Sequence, residues 1–230
     1  STDGSQDVVR AFDSEDIKLI DAPGTGIAEA WNIGIQEAAG ETIGILNADD
    51  WYEPDIVERS VQALSSNPDA GFTYSSVVIH VDGDTILKAP VQKEKLKFAV
   101  QRQMPFGHIS SFVRRDIYHM YGTYDTTFRI AMDFDFYARI ITAGCNGIFV
   151  PGIAGHARGG GISTNLRAQS QESFRVCRKY IGTIPALHNV TKFACRAILF
   201  NALRRSKWGQ LLLRKRHRRH FTVLGGNGNP

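Results

Sequence analysis

A chain of 230 residues, 43% hydrophobic and 22% charged, has the make-up of one globular domain with an appendage. No stretch approaches the roughly 20 apolar residues needed to cross a bilayer, and three cysteines without a CxxC pair argue against a disulfide framework or a zinc site and fit a reducing compartment. The net charge of +4 conceals an asymmetry: no acid follows Glu172, so the chain to that point carries 14 bases against 23 acids, a net of −9, and the remainder is +13.

In chain order, Ser1-Thr2-Asp3-Gly4 reads as a loop in mid-fold, without Met or an opening strand, so a truncated chain is expected. Residues 8–12 look like the end of a helix and 17–20 like a short strand. From Thr25, Ile27, Ala30, Trp31, Gly34, Ile35 and Ala38 recur at helical spacing, with Gly40 closing the helix. Residues 43–46 form a short apolar run bounded by Gly and an acidic turn, the pattern of a buried parallel strand. A helix over about 54–66 follows, with Pro54 at its first position. This rhythm of strand and helix predicts a parallel α/β core.

Residues 72–81 and 85–87 read as strands joined by the hairpin turn Asp82-Gly83. A surface helix over 93–101, a strand over 108–113, a short helix from Asp116 and a loop over 122–128 come next. The helix over 133–143 is strongly patterned, and its Asp135 and Arg139 are spaced to support it as an i, i+4 pair. Residues 147–150 make a last strand. The glycines of 158–163 either admit close approach to a ligand or form a linker. Helices over 166–180 and 190–204 follow, and 225–230 is expected to be disordered.

The chemistry concentrates after the run at 43–46, in Asn47-Ala48-Asp49-Asp50. Paired carboxylates at the C-terminal end of a buried strand lie where open α/β sheets bind ligands. They repel unless something positive sits between them. A divalent cation carrying a diphosphate answers that need, because hard cations take carboxylate and phosphate oxygens. The alternative is that Asp49 and Asp50 cap the next helix.

Four stretches in one order carry a resemblance: residues 1–5 (STDGS), 26–35 (GIAEAWNIGI), 47–50 and 131–139 (AMDFDFYAR). Together they resemble the family 2 glycosyltransferases of the GT-A fold, which build bacterial surface polysaccharides. The four are similar to that family's nucleotide loop, its donor-side helix, its D-x-D metal turn and the segment holding its catalytic base. The resemblance covers about residues 1–163. It implies a Rossmann-like α/β fold, a mixed sheet flanked by helices; the basic helical tail expected over 164–224 lies beyond it and is read from the residues alone. It also implies a nucleotide-sugar donor, a saccharide or lipid-linked acceptor, and a divalent metal, Mn²⁺ or Mg²⁺, at Asp49 and Asp50. Asp3, Asn32, Asn47 and Asp49 would serve the donor, with Asp133 as catalytic base; from the residues alone, Asp133 is equally an N-cap. His108 would stand near the acceptor and His156 near the metal, each with an ordinary structural role as its alternative. Trp31 fits the core stripe of its helix.

The chain departs from the family pattern in three places: Asn47 replaces the first Asp of the metal turn, Met132 stands where an acid is usual, and a first β-α unit of roughly 30 residues is missing. Two other readings share these residues: a nucleotidyltransferase on a similar core, and a non-catalytic sugar- or nucleotide-binding module. The segment 204–216 mixes Lys and Arg with Trp208 and Leu211 to Leu213, which suits a helix on an anionic membrane surface. A cytoplasmic protein, peripheral on the inner membrane face, is therefore expected. Nucleic acid is disfavoured as a partner because no recognition motif accompanies the cluster, and a solvated basic tail is the plain alternative.

Overall fold

A computed structural model describes residues 3–12, 14–81, 84–159, 166–184, 186–187 and 191. Among these, β1 (Thr42–Gly44), β2 (Trp51–Tyr52), β3 (Ala70–Val81), β4 (Asp84–Lys88), β5 (Phe112–Arg114) and β6 (Asn146–Arg158) form one sheet. The order is β1-β5-β3-β6-β2, with β4 also paired to β3. Seven helices accompany it: α1 (Ser5–Arg10), α2 (Ile27–Glu37), α3 (Ile56–Ser65), α4 (Leu96–Val100), α5 (Arg115–Tyr121), α6 (Met132–Thr142) and α7 (Leu166–Ile181).

Adjacent residues of β5 divide the core, as strand alternation requires. Val113 joins Phe72, Tyr74, Phe106, Phe136 and Tyr137 in the larger apolar cluster, whereas Phe112 packs with Ile56, Val150 and Ala154. The larger cluster is an aromatic stack: Phe106 lies 4.8 Å edge-on from Tyr137 and 5.1 Å from Tyr74. Burial of rings of this size dominates the stability of such a layer. α7 contributes Val176 and Cys177 to the same cluster, so the first helix of the 164–224 segment packs into the core.

The sheet is mixed, not the parallel core that the strand-helix rhythm predicts. Only β3 and β6 run parallel; β1–β5, β5–β3, β3–β4 and β6–β2 are antiparallel. Hydrophobic runs report burial on both faces but say nothing of the direction of the neighbouring strand. Residues 17–20 are extended without a strand partner among the described residues, and Ile17, Leu19 and Ile20 are exposed. Apolarity alone does not make a strand where no neighbour takes its hydrogen bonds. Residues 108–110 form a 3₁₀ turn ahead of β5, so His108 sits on a turn rather than at the start of a strand.

β6 runs far beyond 147–150. Pro151 and Gly152 (φ 96) interrupt its pattern, and register shifts against β3 absorb them before the ladder resumes at Ile153. At Gly155 a Cβ would meet the Trp51 carbonyl at 2.5 Å, so the bare backbone lets β2 close on β6. The turn at 82–83, most of the glycine loop, all but Thr191 of the helix expected over 190–204, the basic segment 204–216 and residues 225–230 lie outside the described residues.

Candidate active site

The acidic turn closes on itself through Asp50 N–H donating to the Asn47 carbonyl at 3.2 Å. Asp50 then accepts from Asn47 Nδ2 at 3.0 Å and from the backbone N–H of Arg158 at 3.0 Å, so the end of β6 pins the turn. Neither aspartate caps α3, whose N-cap is Asp55. Asp49 is exposed and makes no hydrogen bond or ion pair among the described residues.

From the turn the contacts continue inward. Asn47 Nδ2 lies 3.4 Å from His108 Nε2, and His108 Nδ1 lies 3.9 Å from Asp133 Oδ2. Because Nδ2 is a donor, Nε2 accepts, which sets the imidazole proton on Nδ1, facing Asp133. Burial pushes the His108 pKa down against the fields of Asp133 and Asp50, which favours the neutral ring. Trp31 lies 5.2 Å from the His108 ring and 5.1 Å from Tyr124, so it backs the site as well as packing its helix. Asp133 and His108 side chains are 21% and 22% exposed, open enough to meet a substrate.

Asp133 is not an N-cap. It is the second residue of α6, whose N-cap is Ala131, and its Oδ1 accepts from the Phe134 N–H at 2.7 Å. The capping task falls to Glu172 of α7, which accepts from the N–H groups of Arg129, Ile130 and Ala131 at 2.8 to 3.2 Å. Those donors have no intrahelical partner, and a carboxylate there also meets the positive end of the helix. Farther along α6, Asp135 is fully buried and joined to Lys179 at 2.9 Å and Arg139 at 3.6 Å, tying α6 to α7. Asp133 is thus held from two sides, with Oδ2 left toward His108.

The other expected residues fall elsewhere. Both ends of the Asn32 amide bind the Tyr124 backbone, at 2.8 and 2.9 Å, so Asn32 holds the loop that carries Tyr124. Asp3 accepts from the Ser5 N–H and hydroxyl in an exposed turn; the Ser5 hydroxyl is the main reason its pKa is lowered. His156 uses both nitrogens, on His80 at 2.9 Å and Glu53 at 2.7 Å, with Trp51 stacked 4.9 Å away. Both of its ring nitrogens are therefore engaged, on His80 and Glu53 rather than on Asp49 or Asp50.

Sequence reading missed Glu172 and Lys88. Glu172 carries one signal in the chain, as the last acid before an all-basic stretch. Lys88 ends β4, and its charge interacts with both Asp133 and His108.

Among the described residues, no group of three or more His, Cys, Asp or Glu converges to hold a metal. The turn instead offers an uncommitted Asp49 carboxylate and the remaining lone pairs of Asp50. That donor set fits a hard cation bound through one or two carboxylates, with phosphate and water oxygens completing its shell.

Comparison with known proteins places these residues in context. The family model described as Glycosyl transferase family 2 matches residues 1–122. A glycosyltransferase of Nostoc sp. is 31% identical over 99 residues, 42% of this chain and 31% of that protein. The chondroitin synthase of Pasteurella multocida is 24% identical over 147 residues, 63% of this chain and 15% of that protein. The chain therefore spans less than half the length of these relatives. In fold it resembles S. aureus TarS 1–349, with a TM-score of 0.57 at 13% identity over 78% of this chain and 52% of that one. The TarS complex with UDP-GlcNAc superposes with a TM-score of 0.56 at 10% identity, over 79% of this chain and 60% of that one.

Proposed function

The chain belongs to glycosyl transferase family 2, and from that premise we propose that it transfers a sugar from a nucleotide-sugar donor to a hydroxyl of a saccharide or lipid-linked acceptor, with inversion. One observation carries the reading: Asn47 and His108 link Asp50, the second of the paired aspartates, to Asp133 across a half-open site. The two ends of that link suit the two halves of the reaction.

At the acceptor end, the hydroxyl oxygen attacks C1 of the sugar while Asp133 Oδ2 takes its proton. The bond from C1 to the diphosphate oxygen breaks, and the nucleoside diphosphate leaves with the electron pair. A single displacement inverts the anomeric carbon. General-base help of this kind contributes about 10² to 10⁴ in rate. Neutral His108, backed by Trp31, keeps the Asp133 carboxylate oriented without neutralising it. At the donor end, Asp49 and Asp50 would hold a Mn²⁺ or Mg²⁺ ion, which offsets the charge of the leaving diphosphate. Asn47 orients Asp50, and Asn32 keeps the Tyr124 loop against Trp31.

The UDP and UDP-GlcNAc complexes of TarS support a uridine donor. The names of the Pasteurella relatives, chondroitin synthase and hyaluronan synthase, support a polysaccharide product. We assign the enzyme to the cytoplasmic side of the membrane, with the basic segment 204–216 as its contact. Among the described residues no helix is long and apolar enough to cross a bilayer.

The test is calorimetry with UDP and UDP-sugars in Mn²⁺, together with turnover. Wild type should bind UDP and release it from a donor sugar, and D49A with D50A should lose Mn²⁺-dependent UDP binding. Asp133→Asn should keep UDP binding and lose about 10² to 10⁴ in kcat. Full turnover in Asp133→Asn, or release of pyrophosphate from UTP and a sugar 1-phosphate with no UDP released from any UDP-sugar, would overturn the assignment.

A further inference from the structure

Lys88 faces Val77 across the β3–β4 ladder. Val77 lies against Gly107, where an added Cβ would come within 2.8 Å of its Cγ2, and Gly107 leads directly into His108. The ladder thus brings the end of β4 to the turn that presents His108. The carboxylate acting on Lys88 is Asp133, whereas His108, a step nearer the acidic turn, responds to both Asp133 and Asp50. The end of β4 and the field of Asp133 thus both put Lys88 on the His108–Asp133 side of the turn at Gly107.

The Lys88 side chain is half-buried, and its ammonium makes no hydrogen bond or ion pair among the described residues. Burial lowers its pKa, with Asp133 opposing that effect. An ammonium withdrawn from water is costly unless an anion answers it. Asp133 stops short of pairing with it and, on the transferase reading, must stay free to take a proton. An acidic group on the acceptor would meet both the Asp133 carboxylate and the donor diphosphate as repulsive neighbours. A cation at this point offsets that repulsion and orients the group.

We propose that Lys88 recognises the acceptor by binding an oxyanion, a carboxylate or a phosphate, carried by the saccharide next to the hydroxyl that Asp133 deprotonates. The proposal rests on the transferase reading above. It makes the preferred acceptor an acidic saccharide.

The test titrates the full chain with methyl glucuronoside, glucose 6-phosphate and neutral methyl glucoside, with and without UDP and Mn²⁺. Wild type should bind at least one acidic probe about tenfold or more tightly than the neutral one, as a charge-assisted hydrogen bond allows. Which acidic probe wins distinguishes carboxylate from phosphate. Lys88→Met should erase the preference and Lys88→Arg should retain it, while UDP affinity in both stays within about twofold of wild type. Equal or absent binding of all three probes by wild type overturns the proposal, as does a preference that survives in Lys88→Met. A loss of UDP affinity in Lys88→Met would assign the residue to the donor and overturn it too. UDP binding by wild type without an acidic preference sinks this inference alone; no UDP binding by wild type sinks the transferase reading beneath it.

Discussion

The side-chain amide of Asn47 lies 3.4 Å from Nε2 of His108, and the same nitrogen donates to Asp50 at 3.0 Å. One amide therefore joins the acidic turn to the residue facing Asp133. An aspartate here, as is usual in the family this chain resembles, would place a third negative charge beside Asp49 and Asp50. The amide instead donates to its neighbour and leaves His108 neutral.

Removing that amide should separate function from stability. Asn47→Ala is expected to lower kcat/KM by about tenfold or more, because Asp50 and His108 each lose a donor. Both contacts are only partly buried, so unfolding should cost about 1 kcal/mol less at most. Initial rates and urea unfolding on the same preparation check this; a large loss of stability with kcat/KM unchanged would contradict it.

Glu172 makes the opposite kind of prediction. Glu172→Ala leaves three N–H groups ahead of α6 without their carboxylate. Loss of such a cap costs about 1–2 kcal/mol, or several degrees in Tm for a chain of this size. Asp133 is the second residue of that helix, so kcat should fall with Tm. Thermal melts and rates that move independently would argue against Glu172 as the anchor of Asp133.

For His108 the pH dependence has a definite sign. Burial sets its folded pKa below the ordinary value of 6.5, so between the two values the unfolded chain binds the proton more readily. The stability owed to neutral His108 is fully present above about pH 6.5 and is lost as pH falls through the lowered folded value. Unfolding from about pH 7.5 to 5.5 should weaken wild type more than His108→Asn. In metal-free protein, the imidazole C2 proton should titrate with a midpoint below 6.5. A midpoint above it would show the Asp133 and Asp50 fields prevailing over burial.

Cys145 should be a poor nucleophile. Burial pushes its thiol pKa up from an ordinary 9.0 to about 11, which leaves roughly a hundredfold less thiolate near neutral pH than an ordinary cysteine. Its Sγ sits where a Cβ on Gly71 would fall, 2.4 Å away, so the side chain fills a gap behind β3. Iodoacetamide labelling read by mass spectrometry should modify Cys145 far more slowly in the native chain than in urea.

Some of this was legible in the residues alone because it is local. The acidic turn, the α2 stripe from Ile27 to Ile35, the hairpin strands β3 and β4 and the patterned helix α6 each declare themselves within a dozen positions, through spacing and turn chemistry. The expected residues Asn47, Asp50, His108 and Asp133 meet in space, whereas His156, Asn32 and Asp3 find partners of their own. The spacing of Asp133 and Asp49–Asp50 left capping open, and only the observed caps, Ala131 and Asp55, removed it.

What tertiary structure alone decided is who stands next to whom. Periodicity records which face of an element is buried, but not the direction of its neighbour, so the antiparallel pairing of β1 with β5 could not be read from residues 43–46. It also cannot show that Glu172 reaches back 41 positions to Ala131, or that Lys88 ends a strand beside the turn carrying His108. Those relationships depend on contacts between segments distant in sequence, and their energies arise only when packing brings the segments together.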